Sequence, residues 1–171
     1  MKTLLVLRHA KAKLDSASGE DFDRPLTGRG RRSAEAVGRE LQSRRLAFDA
    51  VLASPALRVR QTLEIVGQAY GSLPETRFDQ ELYLADTSAL QRKLRLLADE
   101  IASVLLVGHN PGLHELLLQL ASDEDPLRQQ IVGNLPTGAA AILEFPVDRW
   151  RDLRPGAADI CALVFPRNLD P

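Results

Sequence analysis

The chain has 171 residues, 44% of them hydrophobic and 26% charged, a balance that fits one ordinary folded domain spanning 1–171 and excludes a disordered chain. Its 22 Lys and Arg stand against 23 Asp and Glu, leaving a net charge of −1. No global field therefore draws it to nucleic acid or to an anionic membrane, and any attraction for anions has to be local.

The first apolar run is Leu4-Leu5-Val6-Leu7, continuous as in a strand covered on both faces, and it ends on Arg8-His9. What precedes Arg8 is too short for a signal-peptide core, and no stretch approaches transmembrane length, so a cytoplasmic location is expected. Lys11 to Arg24 is polar and aperiodic, a loop. Thr27 is placed to cap a helix running to about Arg45. Ala34, Val37 and Leu41 share its inner face, and six arginines between Arg29 and Arg45 lie mostly elsewhere. Asp49 to Ala53 reads as a second strand, followed after Pro55 by a helix with Val59, Leu63, Val66 and Tyr70 on one stripe. Val104 to Val107 is a third strand. It leads to Gly108-His109-Asn110-Pro111 and a helix with Leu113, Leu116, Leu117 and Leu120 inward, Asn110 serving as cap and Pro111 as first helical residue. Ala139 to Phe145 and Asp159 to Phe165 are strand-like and joined through Asp148 to Pro155, with a Pro-Gly turn signal and room for an antiparallel member. Such alternation predicts βα units around a largely parallel sheet. Cys161, the single cysteine, excludes an internal disulfide and any multi-cysteine metal site; in its apolar run it is expected to be buried and inert.

Three of these strands end on polar residues, and in open α/β sheets ligands bind at the carboxyl edge. His9 can be phosphorylated on a ring nitrogen, which splits a phosphoryl transfer into two easier steps. It must be neutral to attack, and neighbouring arginines disfavour its imidazolium form. Arg8 and Arg58 supply that field and charge-assisted bonds to phosphate oxygens. Arg58 and Arg60 point about 200° apart on a helix, so only one faces a common site. Arg58, in the first turn, is that one, and Arg60 is read as a solvated charge. His109, beside a helix start, can donate to a phosphate oxygen. His114 is read as a surface or supporting residue, since no carboxylate cluster completes a metal site and no metal is expected. Glu81 keeps two readings open, a proton donor to the leaving group or a solvated loop charge.

The segments Leu7-Arg8-His9-Ala10, Ser54-Pro55-Ala56-Leu57-Arg58-Val59-Arg60-Gln61-Thr62 and Val107-Gly108-His109-Asn110-Pro111 together resemble the histidine phosphatase superfamily, also called phosphoglycerate mutase-like or RHG. Arg8-His9-Ala10-Lys11 and Asp23-Arg24-Pro25-Leu26-Thr27, in a chain without a large insertion, look most like its SixA-type phosphohistidine phosphatases. The resemblance implies a three-layer α/β/α fold with a mostly parallel central sheet and a metal-independent phosphatase needing no cofactor. In it His9 would be the nucleophile, and Arg8, Arg58 and His109 would bind phosphate. Ala10 replaces the glycine of the RHG name, and Asp15 stands where mutases carry a phosphate-contacting Asn. A carboxylate would repel phosphate, so no direct role is given to Asp15.

The proton donor used on esters is often absent from the SixA-type branch. The imidazole of phosphohistidine leaves as a neutral ring once protonated and needs less help than an alkoxide. Compactness points the same way, because an unlidded pocket suits a phosphorylated side chain protruding from a protein. The expected partner is thus a phosphohistidine-bearing protein, with a small phosphate ester as the alternative substrate. A non-catalytic module that only binds phosphorylated ligands is the reading from another class, and an intact nucleophile counts against it.

Overall fold

Successive side chains of the first strand, β1 (Lys2–Arg8), face opposite sides of the sheet. Leu4 and Val6 enter one core and Leu5 and Leu7 enter another, and all four are fully buried. Each strand face therefore needs its own helical layer, which is why the run is continuous rather than alternating. The computed structural model describes residues 1–169.

The remaining strands are β2 (Ala50–Ala53), β3 (Thr76–Phe78), β4 (Ser103–Gly108), β5 (Ala140–Phe145) and β6 (Asp159–Val164). They form one six-stranded sheet in the order β3-β2-β4-β1-β5-β6. Pairing is parallel from β3 through β1, whereas β5 runs antiparallel to both its neighbours. This is the expected mostly parallel sheet flanked by helices, with β5 as its reversed member. Helices α1 (Gly28–Ser43) and α2 (Leu57–Tyr70) pack on the face of Leu5 and Leu7, while α3 (Thr87–Arg95) and α4 (Gly112–Leu120) cover the face of Leu4 and Val6.

Two neighbouring parallel strands, β1 and β4, thus send their chains to opposite faces, β1 towards α1 and β4 towards α4. A crevice opens at such a switch point, outside the carboxyl ends of the strands. The pairing Arg8↔Gly108 and the bond from His9 N–H to the Gly108 carbonyl, 3.1 Å, put His9 and His109 on its two sides.

Local chemistry holds these ends in place. Thr27 accepts from Gly30 N–H at 3.0 Å, the cap expected for α1. A Cβ on Gly30 would stand 2.1 Å from the Lys11 carbonyl oxygen, so only glycine lets α1 lie directly on the chain leaving His9. Gly138, at φ +75, donates to the carbonyls of both Arg8 (3.1 Å) and His9 (2.9 Å), closing the other side of the same strand end.

Some expectations are corrected. Pro111, not Asn110, occupies the cap position of α4: the Asn110 side chain turns to the Leu135 carbonyl, to which its amide donates at 2.9 Å, and its oxygen accepts no bond from the helix start. Cys161 is exposed rather than buried: it lies on the edge strand β6 at a bulge, where Ile142 pairs with Ala162 and Leu143 with Ile160, so that Cys161 has no partner across the strand. Partial desolvation, with the Glu144 carboxylate next in weight, pushes its thiol up to about 11, so it stays protonated and unreactive. No strand or helix is expected between Tyr70 and Val104, yet the structure has the short edge strand β3 and the helix α3 there, the latter capped by Asp86. Among the described residues no helix is long and apolar enough to cross a membrane.

Candidate active site

Arg8, His9, Asp21, Arg58, His109 and Asn110 line one pocket of about 280 Å³ at the switch point. Two strand ends, those of β1 and β4, and the first turn of α2 supply four of the sequence-predicted residues to it. His9 and His109 face each other with ring centroids 5.4 Å apart. Both are nearly inaccessible, at 7% and 4% exposure.

Nδ1 of His9 lies 2.8 Å from the Ala10 carbonyl. A carbonyl only accepts, so this nitrogen carries the proton and the lone pair resides on Nε2. Burial first, then the fields of Arg58, Arg8 and Arg24, lower the imidazole to about 4, against the opposing pull of the Ala10 bond. His9 is therefore neutral at physiological pH, in the tautomer a nucleophilic Nε2 requires. The Ala10 backbone is itself anchored, because Ala10 N–H donates to Thr62 Oγ1 at 3.0 Å and Thr62 donates to the Arg58 carbonyl at 2.7 Å.

Arg58 is only 1% exposed. Its guanidinium donates to the Asp21 carbonyl at 2.8 Å, to Asp21 Oδ2 at 3.1 Å and to His109 Nδ1 at 3.2 Å. Arginine has no acceptor, so His109 receives that bond on Nδ1 and holds its own proton on Nε2, which donates to Ser54 Oγ at 2.7 Å. Burial and then Arg58 lower His109 to about 3. Both its nitrogens are engaged in this arrangement, so donating to a phosphate would require protonation or an exchange of partners.

Arg8 donates to the Leu135 carbonyl at 3.0 Å. The Nε groups of Arg8 and Arg58 are buried and have no partner among the described residues. Unmet buried donors on two cations that line one pocket suit an anion with several oxygens.

Asp21, Tyr83, Ser54 and Thr62 carry roles that are not expected from the sequence. Asp21 accepts from Tyr83 Oη, from Arg58 and from Arg24 Nε (2.9 Å). The Tyr83 bond is the largest cause holding its carboxyl down at about 2. Nothing in the polar loop around Asp21 signals this, whereas Thr62, four residues beyond Arg58 on α2, is placed by helical spacing.

Glu81 does not line the pocket; its exposed carboxylate pairs with Lys93, which also holds Asp79 at 2.8 Å. His114 faces away as well, bonded to the Ile131 carbonyl at 2.6 Å. Arg60 is exposed but not merely solvated, since its guanidinium stacks 4.1 Å from the Phe78 ring centre and its Nε donates to the Pro55 carbonyl. Asp15 is exposed and outside the pocket lining. Among the described residues no cluster of His, Cys, Asp and Glu has a metal-binding arrangement.

Residues 4–87 match the family model of the histidine phosphatase superfamily (branch 1). The phosphohistidine phosphatase SixA of Escherichia coli is 34% identical over 125 residues, covering 72% of this chain and 76% of that protein. An uncharacterized protein of Mycobacterium tuberculosis is 33% identical over 164 residues, covering 94% of this chain and all of its own. Among solved structures, the protein assigned as phosphohistidine phosphatase SixA from Nakamurella multipartitia superposes with a TM-score of 0.83 at 28% identity, covering 96% of both chains.

Proposed function

Since the chain belongs to the histidine phosphatase superfamily, we propose that it hydrolyses phosphohistidine on a protein through a phosphorylated His9. The observation that carries the reading is the free Nε2 of a neutral His9, fixed by the Ala10 carbonyl inside a pocket with two guanidinium groups. Nε2 attacks phosphorus, the bond from phosphorus to the substrate's imidazole breaks, and that ring leaves neutral, its other nitrogen having been protonated beforehand. His9 then bears phosphate on Nε2 and keeps the proton on Nδ1, so it is a cationic phosphoimidazole and a good leaving group in turn. Water attacks phosphorus, the electron pair returns to Nε2, and the water's proton passes to the released phosphate or to solvent. One hydrogen bond to Ala10 thus serves both half-reactions.

Arg8 and Arg58 hold the transferring phosphoryl oxygens in this scheme and offset charge as it redistributes. Phosphate drawing on Arg58 competes with His109 for the guanidinium, and its negative charge favours a protonated His109 that can donate to it.

Asp21 supports the choice of substrate. It is the carboxylate in the pocket lining, and at about 2 it carries no proton at neutral pH. An alkoxide leaving group would find no carboxylic acid there, whereas imidazole does not require one. The test compares kcat/KM on histidine peptides phosphorylated with phosphoramidate against a panel of sugar and nucleotide phosphates. The peptides are expected to win by orders of magnitude, and preferential turnover of an ester would assign the pocket to small molecules.

A further inference from the structure

A second groove, of about 300 Å³, adjoins the pocket and shares Lys11 and Thr137 with it. It continues past Arg29 and Ser33 of α1 to Pro166 and Arg167. Three cations and no carboxylate line it, in a chain whose net charge is −1. None of the ion pairs found among the described residues involves Lys11, Arg29 or Arg167. The Arg167 guanidinium stacks on Phe165 instead, 4.5 Å from the ring centre, which orients its fork of N–H groups. Arg29 stands in the first turn of α1, where the helix dipole adds to the positive potential.

The rim of the catalytic pocket carries a different signal. Leu14 is 91% exposed and Leu84 is 54% exposed, and both line the pocket mouth. Leu84 is held there at φ 51, a left-handed backbone conformation unfavourable for a side-chain-bearing residue. Exposed leucines around a polar, cationic opening make a composite surface that a small phosphate does not cover and that another protein would.

Resting on the reading that the substrate is a phosphorylated protein, we propose that the Lys11–Arg29–Arg167 groove is a docking subsite for acidic residues of that protein. It seats them beside the phosphorylated side chain, while Leu14 and Leu84 take an apolar contact. Such a subsite would act on encounter and orientation, and salt would weaken it.

The test uses two histidine peptides phosphorylated with phosphoramidate, identical except that the Asp and Glu residues flanking histidine in one are Asn and Gln in the other. The wild-type chain is expected to favour the acidic peptide roughly tenfold in kcat/KM at low salt. Arg29→Gln combined with Arg167→Gln, both away from the catalytic pocket lining, should abolish that preference and leave turnover of free phosphohistidine unchanged. Equal kcat/KM on the two peptides in the wild type, or a preference that survives in the double variant, overturns the proposal while leaving the phosphohistidine reading intact. Preference for a nucleoside diphosphate over both peptides would assign the groove to a second phosphate and overturn protein docking. Failure to hydrolyse either peptide overturns the phosphohistidine reading and this proposal with it.

Discussion

The guanidinium of Arg58 stands 3.2 Å from Nδ1 of His109 and decides which nitrogen of that imidazole carries the proton. Because Arg58 also contributes to lowering both His9 and His109, its removal has two separable consequences. Arg58→Ala should lower kcat/KM at least ~100-fold through loss of phosphate stabilisation. It should also raise both imidazole pKa values towards, but not to, their ordinary range, since burial is the larger cause and remains. NMR titration of the two rings checks the second effect independently of activity.

Stability should depend on pH through the same two rings. Folded, His9 and His109 take up protons only near about 4 and about 3, against 6.5 for an unperturbed histidine. Between these values the unfolded chain binds more protons. The histidine contribution to stability is therefore full above pH 6.5 and is lost as pH falls through the folded values. Urea midpoints measured from pH 7.5 to 4 should fall, and a double variant with His9→Gln and His109→Gln should show a shallower slope over that window.

Glu81 is expected to contribute little to phosphohistidine hydrolysis, because its carboxylate is outside the pocket lining and occupied by Lys93. Glu81→Gln should change kcat/KM on a phosphohistidine peptide by less than about twofold, the range of an ordinary surface substitution. A large fall in turnover of phosphate esters with the peptide rate unchanged would instead favour an ester as the natural substrate.

Thr62 makes no contact with the proposed reacting atoms, yet it ties Ala10 N–H to the Arg58 carbonyl. Thr62→Val keeps the shape and strips a buried N–H of its acceptor, which should cost about 1–3 kcal/mol of stability. Loosening the Ala10 peptide, whose carbonyl fixes the His9 tautomer, should also lower kcat by roughly tenfold with KM nearly unchanged. Thr62→Ser, which retains the hydroxyl, should recover most of both losses.

The contrast between Leu4-Leu5-Val6-Leu7 and Thr76-Arg77-Phe78 explains what could be read from the chain. A strand buried on both faces must be apolar throughout, so β1, β2 and β4 announce themselves and their ends bring Arg8, His9 and His109 together. The edge strand β3 is short and has exposed residues, and such strands carry little hydrophobic signal. Arg58 was legible because helical geometry separates it from Arg60. Asp21 was not, since its role arises from a loop folding back on Arg58 and Tyr83, residues 37 and 62 positions away. The exposure of Cys161 is not legible for a related reason: an apolar run on an edge strand does not reveal a bulge, and the register shift that leaves Cys161 unpaired depends on β5.

If His9 becomes covalently phosphorylated during turnover, rapid quenching into neutral or alkaline buffer followed by intact-mass and peptide analysis will capture the phosphoenzyme. One acid-labile, alkali-stable phosphoryl group is expected on His9, forming and decaying with substrate and absent from His9→Ala along with activity. Full activity in His9→Ala, or turnover with no phosphate ever found on His9, would contradict that mechanism.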